Sequence, residues 1–556
     1  MSILYLDIET NMAHSIIWCA GYSIDGAEPN ITTSPHEVKA LIDAASNVVG
    51  HNIIGFDAPV LAKVWGVPMP TKKLVDTLVL SRLLTPSLEG GHSLAAWGER
   101  LRQPKGEFTD YDAGYSEEMA NYCKQDIVVT IALHNRLVRE LASNEFSAES
   151  IDLERQVAII IDEQVRHGFC YDLIAGFALD AQCTKRMSEI EDFFATRFPS
   201  RTVQLYSVAT KKPLKPYEDT FNISSRVQIA ERLFEVGQGH QLTRKTDTGR
   251  YSIDEEALKN VDGKEAALLV EFLTLQKRSG LLAQWNKYTT ASGRVHGRVI
   301  TNGAVTGRMT HLSPNMAQVP SCTNYLGKEC RALFHAAYGK RLVGIDASSL
   351  ELRMLAHYMQ DADYTKTVVE GNSDDGTDVH TRNQKSAGLA TRAQAKTFIY
   401  AFLYGAGAGR IGQTIGGTPR DGQQLINSFM EHTPALKTLK SKVDKLAERG
   451  FIKGLDGRRL LIRSAHSSLN VLLQGAGAIV MKKALVLLYL KIKQANLDAK
   501  FVANVHDEWQ LECAEKDAER VGEMGVLSIK EAGEHFKMRC PLDGAYKVGI
   551  TWADTH

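Results

Sequence analysis

Two short strings in the C-terminal half carry side chains well suited to chemistry. They are Val343-Gly344-Ile345-Asp346-Ala347-Ser348-Ser349-Leu350-Glu351-Leu352-Arg353 and Val505-His506-Asp507-Glu508. Each runs from apolar residues into an acid, as when a strand delivers a carboxylate to the rim of a sheet. Asp346 and Asp507 side by side would hold two divalent cations about 3.5–4 Å apart, the arrangement for in-line phosphoryl transfer. Between them, Arg392, Lys396, Tyr400 and Tyr404 recur every fourth residue. On a helix that spacing puts two cations and two aromatic rings on one face. Cations there suit a triphosphate, and an aromatic face suits a base. Metal, triphosphate and base together point to nucleotidyl transfer.

A second acidic set opens the chain. Asp7 and Glu9 flank Ile8, and residues i and i+2 of a strand share a sheet face, so both carboxylates can serve one metal. Asp57, in Asn52-xxx-Phe56-Asp57, adds a third acid. Tyr122 and Asp126, four apart, add a phenol and a fourth acid. D-x-E alone arises often by chance. The three elements in this order resemble the 3′→5′ exonucleases built on D-x-E, N-x-x-x-F-D and Y-x-x-x-D. The resemblance implies that Asp7, Glu9, Asp57 and Asp126 bind two ions that activate water and stabilise the leaving 3′ oxygen. Tyr122 would orient the attacking water. Asp76 reads as a structural acid.

The C-terminal strings resemble the family A DNA polymerases. Asp346-x-Ser348-xx-Glu351-Leu352-Arg353 looks like motif A. Arg392-xxx-Lys396-xxx-Tyr400-xxx-Tyr404-Gly405 looks like motif B, and His506-Asp507-Glu508 like motif C. Two further matches are Thr306-Gly307-Arg308, followed by Pro314-Asn315 and Gln318-Val319-Pro320, and Asn470-xxx-Gln474-Gly475. The wording is nearest to the replicative polymerases of short-tailed phages (podoviruses), through Asn302-Gly303-Ala304-Val305-Thr306-Gly307-Arg308 and Leu455-Asp456-Gly457-Arg458. It spans nearly the whole chain.

This resemblance implies residue roles. Asp346, Asp507 and the backbone carbonyl of Ala347 would hold two Mg²⁺ ions, with Mn²⁺ able to substitute, and Glu508 is a further candidate acid. Arg392, Lys396 and His380 would meet the β- and γ-phosphates, where negative charge builds in the transition state. Glu351 looks like the gate that excludes a ribose 2′-hydroxyl. Tyr400 and Tyr404 complete the dNTP site, and a hydroxyl on Tyr400 would stand in for the missing 3′-OH of a dideoxynucleotide. Arg308, Asn470, Gln474 and His506 would contact the primer–template end. The minor-groove acceptors there are present in every correct pair.

Composition is ordinary for a soluble globular chain, with 23% charged and 44% hydrophobic residues and a formal net charge of zero. Charge alone therefore gives no support for nucleic acid. Eight scattered cysteines without a C-x-x-C pair argue against a zinc or redox motif and suit a reducing cytosol. The N-terminal run carries Asp7 and does not read as a signal peptide. No stretch reaches 18 apolar residues, so no membrane span is expected.

The elements that must position these residues follow from periodicity. Strand-like runs at 3–6, 16–20 and 47–51 alternate with helical patterning at 57–65, 74–83, 93–102 and 117–141, an α/β pattern. The polar stretch 143–150 is the expected boundary. Beyond it the pattern is helical through about 196, irregular at 200–220, and helical again at 225–236 and 255–285. Residues 294–346 read as short strands and turns, 380–450 as helices with glycine breaks, 470–494 as a helix and 501–513 as strands. Gly407-Ala408-Gly409-Arg410-Ile411-Gly412 fits G-x-G-x-x-G but follows a helical segment, so the dinucleotide context is missing. The glycines read as a flexible break.

The expected fold is α/β and α+β multidomain: an RNase H-like exonuclease unit (1–145), then a right-hand polymerase unit (150–556). Within the latter the thumb would lie at about 185–295, the palm at 296–365 and 466–556, and the fingers at 366–465. Expected partners are primer–template DNA, dNTPs, a phage helicase–primase and a single-stranded-DNA-binding protein, in the cytoplasm of an infected bacterium. The best-known podovirus enzymes carry a long thumb insertion that recruits host thioredoxin. Here the stretch around 207–224 is short, so thioredoxin is not expected as a partner.

Overall fold

The structure is a computed structural model that describes residues 2–246 and 248–556. The N-terminal part is built on five strands: β1 (Ile3–Thr10), β2 (Ile17–Ile24), β3 (Asn30–Thr32), β4 (Asn47–Gly50) and β5 (Leu74–Asp76). Their order is β3-β2-β1-β4-β5. β1 pairs antiparallel with β2 and parallel with β4, and β4 is parallel to β5. Helix α1 (Glu117–Ser143) packs on the sheet, started by Ser116, whose side chain accepts from the Met119 amide. It buries Ile127, Val129 and Leu133.

Helix α2 (Ala148–His167) leads out of this part and joins the large C-terminal core. Gly168, at φ 70°, ends it, so the helical stretch expected from 151 to 196 is two helices separated by the strand Phe169–Tyr171. Two other readings are corrected in the same way. Residues 74–83 are not one helix: Leu74–Asp76 closes the sheet, and the Asp76 side chain then caps the helix Thr77–Leu84. Residues 255–285 form Glu255–Leu258 and Lys264–Tyr288, parted where Gly263 adopts φ 136°.

The C-terminal core surrounds a four-stranded antiparallel sheet. Its strand β6 (Lys340–Ala347) runs into helix α3 (Leu350–Met359), followed by α4 (Val379–Ala387) and α5 (Arg392–Leu403). The chain then returns through α6 (Ser468–Gln494), β7 (Ala499–Val505), β8 (Glu508–Ala514), α7 (Ala518–His535) and β9 (Gly544–Gly549). The strand order is β7-β8-β6-β9. α6 is apolar nearly all round because it is enclosed: Leu473, Ile479, Val480, Leu485 and Leu488 are fully buried. Each such side chain contributes roughly 1.5–3 kcal/mol of burial. By length and composition α6 alone, among the described residues, could cross a membrane, but 78% of its apolar window lies inside the protein. It is a core helix.

A buried charge network ties α2 to this core. Glu154 accepts from both Arg458 and Lys482, and Arg458 also pairs with Asp456. The glycine-rich stretch after α5 places its break at residues 404–407, between α5 and the next helix. Gly405 has φ 78°, and Ala408–Thr414 is helical. A Cβ on Gly412 or Gly422 would stand 2.0 Å from a backbone oxygen of the facing segment, so these glycines permit a close crossing.

Candidate active sites

Strands β6 and β8 lie side by side with Asp346 opposite Glu508. Asp507 occupies the two-residue turn between β7 and β8, closed by the Val505–Glu508 pair. His506, its first residue, has φ 58°, the positive φ that a tight hairpin requires. The Asp507 carbonyl accepts from the Ala347 amide at 3.2 Å. The hairpin is thus fastened to the end of β6, and both aspartates meet at one sheet edge.

Asp346 opens to solvent, yet the surrounding walls strip away enough water, with Asp507 and Glu508 adding repulsion, to push its carboxyl up to about 7. Burial and then Glu351 push Asp507 up to about 6. Neither aspartate has an ion-pair partner among the described residues. Two crowded, unneutralised carboxylates are a hard-oxygen donor set that fits a divalent metal such as Mg²⁺.

Glu508 differs. Its carboxylate accepts from Trp552 Nε1, from Gln510 Nε2 at 2.7 Å and from His556 Nδ1 at 3.2 Å. Burial opposes its charge, but these bonds and Arg331 outweigh it and hold the pKa below the ordinary value.

Across from the aspartates, Glu351 is held in the first turn of α3. It accepts from Arg308 Nη2 at 2.8 Å and from the Tyr404 hydroxyl at 3.1 Å. α5 begins with a capping box between Thr391 and Gln394 and carries Arg392, Lys396 and Tyr400, with Tyr404 at its C-terminal end. The Tyr400 and Tyr404 rings lie 6.2 Å apart, and His380 stands 6.1 Å from Tyr400. Arg392 pairs with Asp378 at 3.0 Å, while Lys396 is exposed. His380 Nδ1 is buried without a partner among the described residues. Burial and then Arg392 lower the pKa of that ring. Asn470 donates to the Leu403 carbonyl at 3.2 Å, and Gln474 lies one turn further along α6. The five motifs therefore converge on one cleft.

The second acidic set also converges. Asp7 and Glu9 project from β1, Asp57 accepts from the Ile8 amide at 3.1 Å, and Tyr122 and Asp126 come from α1. Glu9, Asp57 and Asp126 are buried. Burial first, then mutual repulsion, raises the pKa of Asp7 and Glu9 well above the carboxylate range. Burial raises Asp57 as well, partly offset by backbone amides. Asp126 Oδ1 is buried with no hydrogen-bond partner among the described residues, and such an orphaned oxygen fits a metal ligand. Ligand atoms of Asp7, Glu9 and Cys123 lie within 4.8 Å of one another. Asp76 serves structure: its carboxylate accepts from the amides of Asn52, Ile54 and Leu78.

Sequence reasoning missed three residues at these sites. Asp378 sits two before His380 and could have been noticed as an acid facing Arg392. Cys123, next to Tyr122, gave no signal because a lone cysteine is usually core. Lys105 lies in an aperiodic loop, and nothing in its spacing singles it out.

The sequence pattern described as DNA polymerase family A matches residues 195–554. The DNA-directed DNA polymerase of Enterobacteria phage T3 is 33% identical, with 93% of this chain and 94% of that protein covered. That of Escherichia phage T7 is also 33% identical, covering 95% and 96%. In fold, the chain is similar over its full length to the polymerase domain of Pol1 from M. smegmatis, solved with a DNA primer-template and dNTP, at a TM-score of 0.79, 19% identity and 96% coverage of that chain. Five motifs converging on one cleft and the match over most of the sequence agree, and the chain belongs to DNA polymerase family A.

Proposed function

We propose that this chain, a DNA-directed DNA polymerase by its family, is a replicative enzyme that extends a primer by two-metal transfer and proofreads with its own 3′→5′ exonuclease. The observation that carries the reading is the meeting of Asp346 and Asp507, without a counter-cation among the described residues, opposite the cationic and aromatic face of α5. Mg²⁺ bound there would activate the primer 3′-hydroxyl and neutralise the triphosphate. Asp346, Asp507 and the Ala347 carbonyl would hold it. Arg392, released from Asp378, would join Lys396 and His380 on the β- and γ-phosphates. Tyr400 and Tyr404 pack the base and sugar, and Glu351 fills the space of a 2′-hydroxyl. Arg308, Asn470, Gln474 and His506 line the path of the primer–template end. Glu508 stays on Trp552, Gln510 and His556 and acts as a fixed neighbouring charge.

Proofreading rests on the N-terminal acids. The mixed order β3-β2-β1-β4-β5 supports an RNase H-like unit over residues 1–145. Asp7, Glu9, Asp57 and Asp126 would hold metal, and Tyr122 would orient the water. The remainder (150–556) would form the right hand, with thumb near 185–295, palm at 296–365 and 466–556, and fingers at 366–465. Two of the relatives are, by their names, DNA-directed DNA polymerases of phages. On that basis we place this protein in the cytoplasm of an infected bacterium, working with primer–template DNA, dNTPs, a helicase–primase and a single-stranded-DNA-binding protein. The strands Arg201–Val203 and Tyr217–Asp219 pair as a hairpin, and the reading assigns no thioredoxin to it.

The test is single-nucleotide primer extension by Asp346→Ala. Loss of the metal-holding carboxylate should cost several kcal/mol of barrier, about 10³-fold in rate. Extension within tenfold of wild type would overturn the assignment.

A further inference from the structure

Lys105 stands on the Asp126 side of the N-terminal acidic set. Its Nζ lies 2.5 Å from Asp126 Oδ2 and 4.7 Å from the centroid of the Tyr122 ring. The loop that carries it is pinned on both sides. The Gln103 amide donates to the Gly98 carbonyl at 2.9 Å, and Gln125 Nε2 donates to the Pro104 carbonyl at 2.9 Å. A Cβ on Gly98 would reach 2.7 Å from the Gln103 oxygen, so the loop lies hard against the preceding helix. Asp126 divides its oxygens: Oδ2 faces Lys105 and Oδ1 has no partner among the described residues. The residue can therefore give one oxygen to a metal while keeping the lysine beside it.

We propose that Lys105 is a catalytic residue of the hydrolytic site, presenting its ammonium to the scissile phosphate of a DNA 3′ end beside Asp126 and Tyr122. The inference rests on the exonuclease reading of that site. In the reaction, water bonds to phosphorus and yields a proton to solvent, and the bond from phosphorus to the 3′ oxygen breaks. That oxygen leaves, takes up a proton as the new 3′-hydroxyl, and a nucleoside 5′-monophosphate departs. Negative charge grows on the non-bridging oxygens as water adds, and a cation fixed next to the water-orienting phenol is placed to stabilise it.

The experiment uses the full chain with Asp346→Asn and Asp507→Asn, so that the N-terminal acids dominate metal binding. Hydrolysis of a labelled single-stranded oligonucleotide with Mg²⁺ is followed for this background and for added Lys105→Met, Lys105→Arg and Asp7→Ala. Mn²⁺ binding is titrated by electron paramagnetic resonance, and near-ultraviolet circular dichroism reports folding. Lys105→Met should lower kcat about 100-fold, Lys105→Arg should recover part of it, and Mn²⁺ should bind at least as tightly as in the background. An unchanged kcat in a folded Lys105→Met protein would overturn the inference. So would a fall matched by lost Mn²⁺ binding, which would make the lysine a brace for the acids. If the background itself does not shorten DNA, or Asp7→Ala shortens it equally, the exonuclease reading fails and the inference with it.

Discussion

At the scale of single residues, the two sites differ in how they manage negative charge. Glu351 of the larger cleft is fixed by Arg308 and Tyr404. A carboxylate anchored by two donors on its Oε1 resists swinging aside for a 2′-hydroxyl, and a buried hydroxyl left without a partner costs roughly 1–3 kcal/mol. Glu351→Ala should therefore incorporate ribonucleotides about 10–100-fold more readily relative to dNTPs. Competitive incorporation on a gel checks this, and unchanged discrimination would refute the role. Asp346 makes a pH prediction. Its folded pKa of about 7 lies above the ordinary carboxylate value, so the folded chain binds that proton more tightly than the unfolded chain. Its favourable contribution is full below about pH 4 and is lost as pH rises through about 7. Without divalent metal, the melting temperature should fall between pH 5 and pH 8 more steeply for wild type than for Asp346→Asn, and Mg²⁺ should restore more at pH 8 than at pH 5. Parallel curves for the two proteins would contradict the placement of the charge. Both positions were legible in the sequence as candidates, because Asp346 and Glu351 sit at fixed spacing in one string. Lys105 and Asp378 were not, because their importance comes from which distant residues the fold sets beside them.

At the scale of elements, periodicity located most helices and strands and misjudged their breaks. Apolar period alone does not separate a three-residue strand from the first turn of a helix, which is why Leu74–Asp76 was joined to the helix after it. The breaks at Gly168 and Gly263 depend on positive φ, which a glycine permits without announcing. The network of Glu154, Arg458, Lys482 and Asp456 was likewise invisible, since it joins residues some 300 positions apart. It couples α2, the loop at 454–458 and α6. Burial first, with Arg458 adding, lowers the Lys482 pKa to about 8, so this lysine relies on Glu154 to stay charged. Removing one partner of such a buried group typically costs about 3–5 kcal/mol. Glu154→Gln should lower stability by that amount in urea unfolding and should loosen α2 before the four-stranded sheet. A change below about 1 kcal/mol would show that the network is not needed for stability.

At the scale of the whole molecule, each acidic set is assembled on its own sheet, one on β1 and α1, the other on β6 and the β7–β8 turn. Polar contacts join the two parts: the Asn302 side-chain amide donates to the Arg82 carbonyl at 3.0 Å, Arg155 donates to the Thr71 carbonyl at 2.7 Å, and Lys453 pairs with Glu145 at 3.1 Å. Because the two acidic sets stand on separate sheets, the synthesis and the proposed proofreading should be silenced one at a time. The measurement that tests it most directly is a labelled primer–template incubated with Mg²⁺, with and without dNTPs, for wild type, Asp507→Ala and Asp7→Ala. The account predicts that Asp507→Ala loses extension and keeps shortening, while Asp7→Ala loses shortening and keeps extension. Extension surviving in Asp507→Ala, or both activities vanishing together in either variant, would contradict it.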